Sequence, residues 1–337
     1  MLLAGGGPAA PDARVLLALT TPVIGQFDPA FTAIMDDVMA LGRQTFLTAN
    51  ERCFAVSGLA SAALEALLNT ALEEGDRVAI GGGPRFVAET AALARRYGAQ
   101  VTALDDLVPG VKLLVVPLID PELGQVWPVA NLATAAHSLG VKLVVDATHG
   151  LAASELRVDD WHVDACVAGA DHAVGAPSGM SLITYSAAIE AMFQARRDPP
   201  RTSYLDLLQV QAYWSPERLN HHTAPTSLVY GLREALRLLH TESLPEVWRR
   251  HARCGRDLRA GLQALGLDVS GDGPYAIVHL SSSAAVAEMR QRLRQEWEVH
   301  VRQVGPHAWR VGLLGADAQP AAVRRVLLSI EKSLSAA

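Results

Sequence analysis

Along most of the chain, short runs of branched apolar residues alternate with stretches in which apolar positions recur every three or four residues. The first such stretch predicts a helix over 28–46. Phe31, Ile34, Met35, Val38 and Leu41 fall on one face, Asp28 is placed as N-cap, and Pro29 takes the first helical position. The run CFAV (53–56) predicts a strand, and Ser57-Gly58 opens a helix through ASAALEALLNTAL. Strand RVAI (77–80) leads to a helix over 86–97, and strand VKLLVVPL (111–118) to a helix over 128–139. Strand VKLVVDA (141–147) is followed by ACVAGA (165–170) and MSLITYS (180–186). Continuously apolar strands between amphipathic helices predict a mainly parallel sheet covered on both faces.

The pattern changes after about residue 225. Two long amphipathic helices, over 225–240 and 244–265, precede strands YAIVHL (275–280) and WRVGLL (309–314), and a helix near 320–334 closes the chain. The expected architecture is therefore α/β: a large domain over 1–230, including the N-terminal segment, and a smaller α+β domain over 231–337.

Composition narrows the functional classes. With 337 residues, half of them hydrophobic, the chain can bury a sizeable core. A net charge of −6 gives no electrostatic reason to expect nucleic acid or an acidic membrane as partner. Cys53, Cys166 and Cys254 lie far apart without CxxC pairing, which fits a reducing cytoplasm rather than a disulfide framework. The start, MLLAGGGPAA, has no basic residue ahead of its apolar part, and no apolar run reaches membrane-spanning length. A soluble cytoplasmic protein is expected.

Of the 29 basic residues only three are lysines: Lys112, Lys142 and Lys332. Arginine replaces lysine at little cost on a surface, but not where amine chemistry is needed. In an open α/β sheet the ligand site forms at the carboxyl ends of the strands, where Ser57-Gly58, Asp146 and Asp171-His172 fall. Ser57-Gly58 either presents helix N–H groups to an anion or supplies a helix cap. Asp146 ends a buried strand, where it either meets a cation or donors at a ligand site or caps the turn at Thr148-His149-Gly150. Arg310 interrupts an apolar strand, so it either snorkels to water or meets a carboxylate.

Taken in order, TPVIGQFDPAF (21–31), SG-x(5)-LEA (57–66), ARRYGAQV (94–101), LVVDATHGL (143–151), GAPSG (175–179), SYLDL (203–207), HHTAP (221–225), LREAL (232–236) and RVGLLG (310–315) cover nearly the whole chain. With these motifs the chain resembles the class V aminotransferases of the fold-type I pyridoxal-phosphate (PLP) superfamily, in particular the alanine–glyoxylate/serine–pyruvate group. The resemblance implies a mainly parallel seven-stranded sheet between helices, a smaller C-terminal domain and a homodimer. It implies PLP or its amine form, pyridoxamine phosphate (PMP), as cofactor and a small carboxylate as substrate. By the same resemblance Asp146 would face the pyridine nitrogen and Phe86 would stack on the ring. Ser57, Gly58, Leu59, Ala60, Ser61, Thr148, Asp171 and Asn220 would occupy the cofactor's surroundings. Thr223 would reach the phosphate from the neighbouring subunit, and Arg310 would hold the substrate carboxylate.

The chain departs from that pattern where the chemistry is carried. The position matching the family's Schiff-base lysine is His172, and imidazole cannot form a Schiff base. The family's glutamine before it is Asp171, a negative charge beside a phosphate site. Leu59, Ala60 and Ser61 stand where the family has small or donor residues, Asn220 replaces a partner-subunit tyrosine, and the loop before Gly124 reads IDPEL. Three functions follow from these residues. One is a degenerate homologue that binds a small ligand. A second is a PMP-dependent enzyme with His172 as base. A third is a metal site built from Asp146, His149, Asp171 and His172, joined by His221 or His222. His172 could also simply fill the volume that lysine vacated.

Overall fold

The computed structural model describes residues 1–335. A two-residue strand β1 (Leu2–Leu3) and helices α1 (Ala13–Ala18) and α2 (Pro29–Phe46) precede the central sheet. Asp28 caps α2 as expected, its carboxylate accepting from the Ala30 N–H at 2.8 Å with Pro29 inside the first turn.

The sheet then builds as β2 (Cys53–Ser57), α3 (Ala60–Ala71), β3 (Arg77–Ile80), α4 (Pro84–Arg96), β4 (Gln100–Ala103), β5 (Leu113–Pro117), α5 (Val129–Ser138), β6 (Lys142–Asp146), β7 (Ala165–Gly169) and β8 (Met180–Tyr185). Its seven strands are ordered β2-β8-β7-β6-β5-β3-β4. All run parallel except β8, which is antiparallel to both of its neighbours. Every residue of β5, β7 and β8 is buried, so both faces are covered. The mainly parallel sheet expected from the strand pattern, with the seven strands that the resemblance implies, is thus present. β4 was not legible in the periodicity because it is an edge strand, and none of its four residues is buried.

Helices α6 (Ala187–Gln194), α7 (Leu207–Trp214), α8 (Thr226–Glu242) and α9 (Leu244–Ala264) lead into β9 (Asp268–Ser270), β10 (Tyr275–His279), α10 (Ser283–Trp297), β11 (Val299–His300), β12 (Arg302–Gly305), β13 (Ala308–Gly312) and α11 (Pro320–Ser335). Strands β9, β10, β12 and β13 form an antiparallel sheet ordered β12-β13-β10-β9. Buried apolar residues fall into two clusters. The first runs through Leu232, Leu236, Leu239, Leu244 and Val247. The second takes Cys254, Leu258 and Leu262 with the C-terminal sheet, and also Leu2 and Ala4. The two clusters meet within α9, because the apolar face of α8 packs on α1 and α2.

Leu2 and Ala4 belong to the second core because β1 pairs in parallel with β11. From there the N-terminal strap crosses to the large domain. Gly6 N–H donates to Gly312 O at 3.0 Å and Ala9 N–H to Asp171 O at 2.8 Å. This strap brings the C-terminal sheet against the carboxyl ends of β6 and β7.

Candidate active site

Two loops leave the carboxyl ends of β6 and β7 and meet under the strap. Asp146 closes β6, and its Oδ1 accepts the Thr148 N–H at 2.9 Å, so it caps the turn that follows. Burial raises its carboxyl above the ordinary value, while the Thr148 hydrogen bonds and the nearby His172 pull the other way. Past β7, Gly169 marks a close approach. A Cβ there would lie 3.0 Å from Asp171 Oδ1, 3.2 Å from Ala60 Cβ and 3.3 Å from Thr148 Cγ2. The start of α3, the turn after β6 and Asp171 therefore converge on one point.

Asp171 holds His172. His172 Nδ1 lies 2.9 Å from Asp171 Oδ1, and Ser178 Oγ–H donates to Asp171 Oδ2 at 2.7 Å. Burial pushes the Asp171 carboxyl up, but the hydrogen bonds from His172 and Ser178 outweigh it and leave the group below its usual range. An ionised carboxylate only accepts, so Nδ1 carries the donated proton. The strap packs against that ring. A Cβ on Gly7 (φ +114°) would sit 2.1 Å from His172 Cδ2 and 2.4 Å from Nε2, so only glycine fits at this approach.

Arg310 faces this pair from the C-terminal sheet. It is 1 % exposed, donates from Nε to Gly5 O at 2.9 Å and from Nη1 to Pro121 O at 2.8 Å, and lies 5.1 Å from the Tyr275 ring centroid. It neither snorkels to water nor meets a carboxylate: among the described residues no acid pairs with it. Burial pushes its pKa down to about 10, which still leaves it charged at neutral pH. Tyr275 O–H donates to His149 O at 2.5 Å. The His149 ring stands edge-on to His172, 4.7 Å between centroids, and its buried Nδ1 has no partner. Burial first, then the charge of Arg310, holds His149 well below its ordinary pKa and therefore neutral. A pocket of about 210 Å³ opens here, lined by His149, His172, Arg85, Arg302, Arg310 and Glu122 among others.

The other expected residues are distributed around this centre. Ser57 does not cap α3. The N-cap is Leu59, 53 % exposed and without a side-chain hydrogen bond, while Ser57 Oγ lies 3.4 Å from His222 Nε2. Gly58 takes φ +145° and donates its N–H to Gly179 O, and Ala60 and Ser61 begin the helix with no side chain covering its first N–H groups. Phe86 is half-buried on α4 and folds back over Gly82. Asn220 is exposed and accepts from Gln26 Nε2 at 3.1 Å, and Thr223 is exposed. His221 and His222 contact each other, Ser203 O and Ser57, well apart in sequence and contacts from His172. Among the described residues no three His, Cys, Asp or Glu side chains converge to hold a metal, so Asp146, His149, Asp171 and His172 do not form the metal site that the sequence suggests. They fail because Asp171 is already bonded to His172 and Ser178, and Asp146 to Thr148.

The lysines lie elsewhere. Lys112 precedes β5 and pairs with Asp76 at 2.6 Å, and Lys142 begins β6 and pairs with Asp164 at 3.1 Å. Both are at the amino ends of strands whose carboxyl ends carry the site, and Lys332 is in α11. Residues not anticipated from sequence are Ser178, Tyr275, Arg85, Arg302 and the Gly5–Gly7 strap. Only the triple glycine before Pro8 was a visible signal, since close backbone approach to a side chain requires glycine.

A fold of this kind, with its pocket at the strand ends between a large and a small domain, is that of the fold-type I PLP-dependent transferases. A structure of alanine–glyoxylate aminotransferase from Nostoc sp. superposes with a TM-score of 0.93 at 30 % identity, covering 99 % of this chain and 95 % of that one. In sequence, (S)-ureidoglycine–glyoxylate transaminase of Bacillus subtilis is 31 % identical over 97 % of this chain and 89 % of its own length. Alanine–glyoxylate aminotransferase of Drosophila melanogaster is 27 % identical over 98 % and 92 %. Residues 93–324 match the family described as Aminotransferase class-V, and the chain belongs to that family. No helix among the described residues is long and apolar enough to cross a membrane.

Proposed function

We propose that His172 occupies the family's Schiff-base lysine position, and that the protein binds a small carboxylate instead of running lysine-based amino transfer. The carrying observation is the Asp171–His172 pair at the carboxyl end of β7, with both nearby-numbered strand lysines engaged at the opposite end of the sheet. The residues present do not fit covalently held PLP. No amine is within the site, and the carboxylate of Asp171 stands beside Ala60 and Thr148, where a phosphate dianion would be repelled. Arg310 supports the carboxylate assignment. It is a buried cation with only backbone carbonyls for partners, and an anion would complete its fork. The chain would work as a homodimer, in which exposed Thr223 is free to face the neighbouring subunit.

A second reading is favoured by one observation, the desolvated carboxyl of Asp146 without a cation of this chain bonded to it. Dissociable PMP would supply a cationic ring there, and His172, oriented by Asp171, would accept a proton at Nε2. Titration of the purified protein with PLP, PMP and pyruvate, followed by calorimetry and visible absorption, separates the readings. The first expects pyruvate binding and no borohydride-reducible band with PLP. Tight binding of PMP would replace it with the second, and a reducible PLP band at stoichiometric occupancy would overturn both.

A further inference from the structure

Arg310 is not the only cation in the pocket. Arg302 opens β12 and is the direct cross-strand partner of Arg310 on β13. Residues opposite each other in an antiparallel pair project from the same face, and like charges so placed repel. No carboxylate among the described residues pairs with Arg302, which is exposed at the pocket mouth. Arg85, on the pocket's other side, is partly neutralised, its Nε bonded to Glu89 Oε1 at 2.8 Å, while Glu122 Oε2 accepts the Arg85 backbone N–H at 3.2 Å. After burial, the largest influence, the charges of Arg302 and Arg85 both act to lower the pKa of Arg310. The fold thus maintains a repulsive arginine pair across adjacent strands around a cavity of about 210 Å³. That volume is below the roughly 300–1,000 Å³ of drug-sized pockets, so the occupant is small.

Resting on the proposed carboxylate-binding function, we infer that the natural ligand is a small dicarboxylate. One carboxylate is held deep in the pocket by Arg310, and the second at the mouth by Arg302. A dianion spanning the two guanidinium groups turns their mutual repulsion into attraction for both ends of one molecule. A monocarboxylate satisfies only Arg310 and leaves Arg302 uncompensated.

Calorimetric titration of the full-length protein with propionate and with succinate, repeated on Arg302→Gln and Arg302→Lys, tests this. Succinate is expected to bind at least about tenfold more tightly than propionate, the scale of one additional charge-assisted contact. The ratio should fall to within about twofold in Arg302→Gln and be partly restored in Arg302→Lys, which keeps the charge but not the fork. A wild-type ratio near one, or a ratio that survives Arg302→Gln, overturns the inference while leaving carboxylate binding intact. If neither acid binds the wild-type protein, the proposed function falls with it.

Discussion

The two ends of the same parallel strands treat charge in opposite ways. At the amino ends, the charged groups named here are matched. Lys112 pairs with Asp76, and buried Asp164 receives Lys142 at 3.1 Å, His137 at 2.6 Å and the Leu143 N–H at 2.9 Å. At the carboxyl ends, capacity is left over. Asp146 has a single neighbouring residue as donor, Arg310 has carbonyls but no anion, and His149 Nδ1 has nothing. Unpaired buried polar groups are costly, so charged and imidazole groups left over together at one pocket mark a candidate ligand site. The amino end is completed by the chain's own ion pairs, and the carboxyl end is where the proposed carboxylate would supply the missing partner of Arg310.

Substitutions at the two ends should therefore differ in kind. The largest effect belongs to ligand binding. Arg310→Met should weaken carboxylate affinity by about 100-fold, the scale of losing a buried charge partner, and lower the thermal midpoint only modestly, because removal of an uncompensated cation offsets part of the cost of leaving Gly5 O and Pro121 O without a donor. Calorimetry and a melting curve on the same sample check both halves. At the amino end the loss is of stability. Asp164→Asn should cost about 3 kcal/mol in urea unfolding, because it leaves Lys142 and His137 without their shared anion. It should leave ligand affinity unchanged.

Gly7→Ala tests the strap between these extremes. The new methyl would occupy space held by the His172 ring at a positive φ, so a loss of about 2 kcal/mol is expected, with weakened carboxylate binding. A stable Gly7→Ala protein with normal affinity would show that the strap does not hold His172.

The smallest effect has the opposite sign. The folded pKa of Asp146 lies above its unfolded value, so the folded state favours the protonated carboxyl and the wild-type protein loses stability as pH rises through the folded pKa. Asp146→Asn removes that loss. Its melting temperature should match wild type near pH 4 and exceed it at pH 8. A lower melting temperature at pH 8 would mean that Asp146 is already compensated in the free protein.

The fold was legible because its buried strands are apolar throughout and its helices carry single apolar stripes. RVAI became β3 without change of bounds, and VKLVVDA contains β6 and ends at the site. Asp146, Asp171, His172 and Arg310 were readable as polar interruptions of apolar strands or strand ends. Arg302 and Tyr275 were not, because their importance comes from antiparallel register between strands that the sequence does not pair. Ser178 lies in GAPSG, a motif that carries only the resemblance, and its bond to Asp171 depends on the chain closing back over seven residues. The capping of α3 went the other way. Ser57 had the right side chain, but Gly58 at φ +145° turns the backbone so that Leu59 begins the helix and Ser57 faces His222.

The proposed function rests on His172 occupying the position that the resemblance gives to a Schiff-base lysine. Incubation of the purified protein with excess PLP, alanine and glyoxylate, with appearance of glycine and pyruvate followed over time, tests it most directly. No turnover above that of PLP in buffer is expected, and no yellow protein-bound band after gel filtration. A coloured protein that transfers amino groups over many turnovers would contradict it.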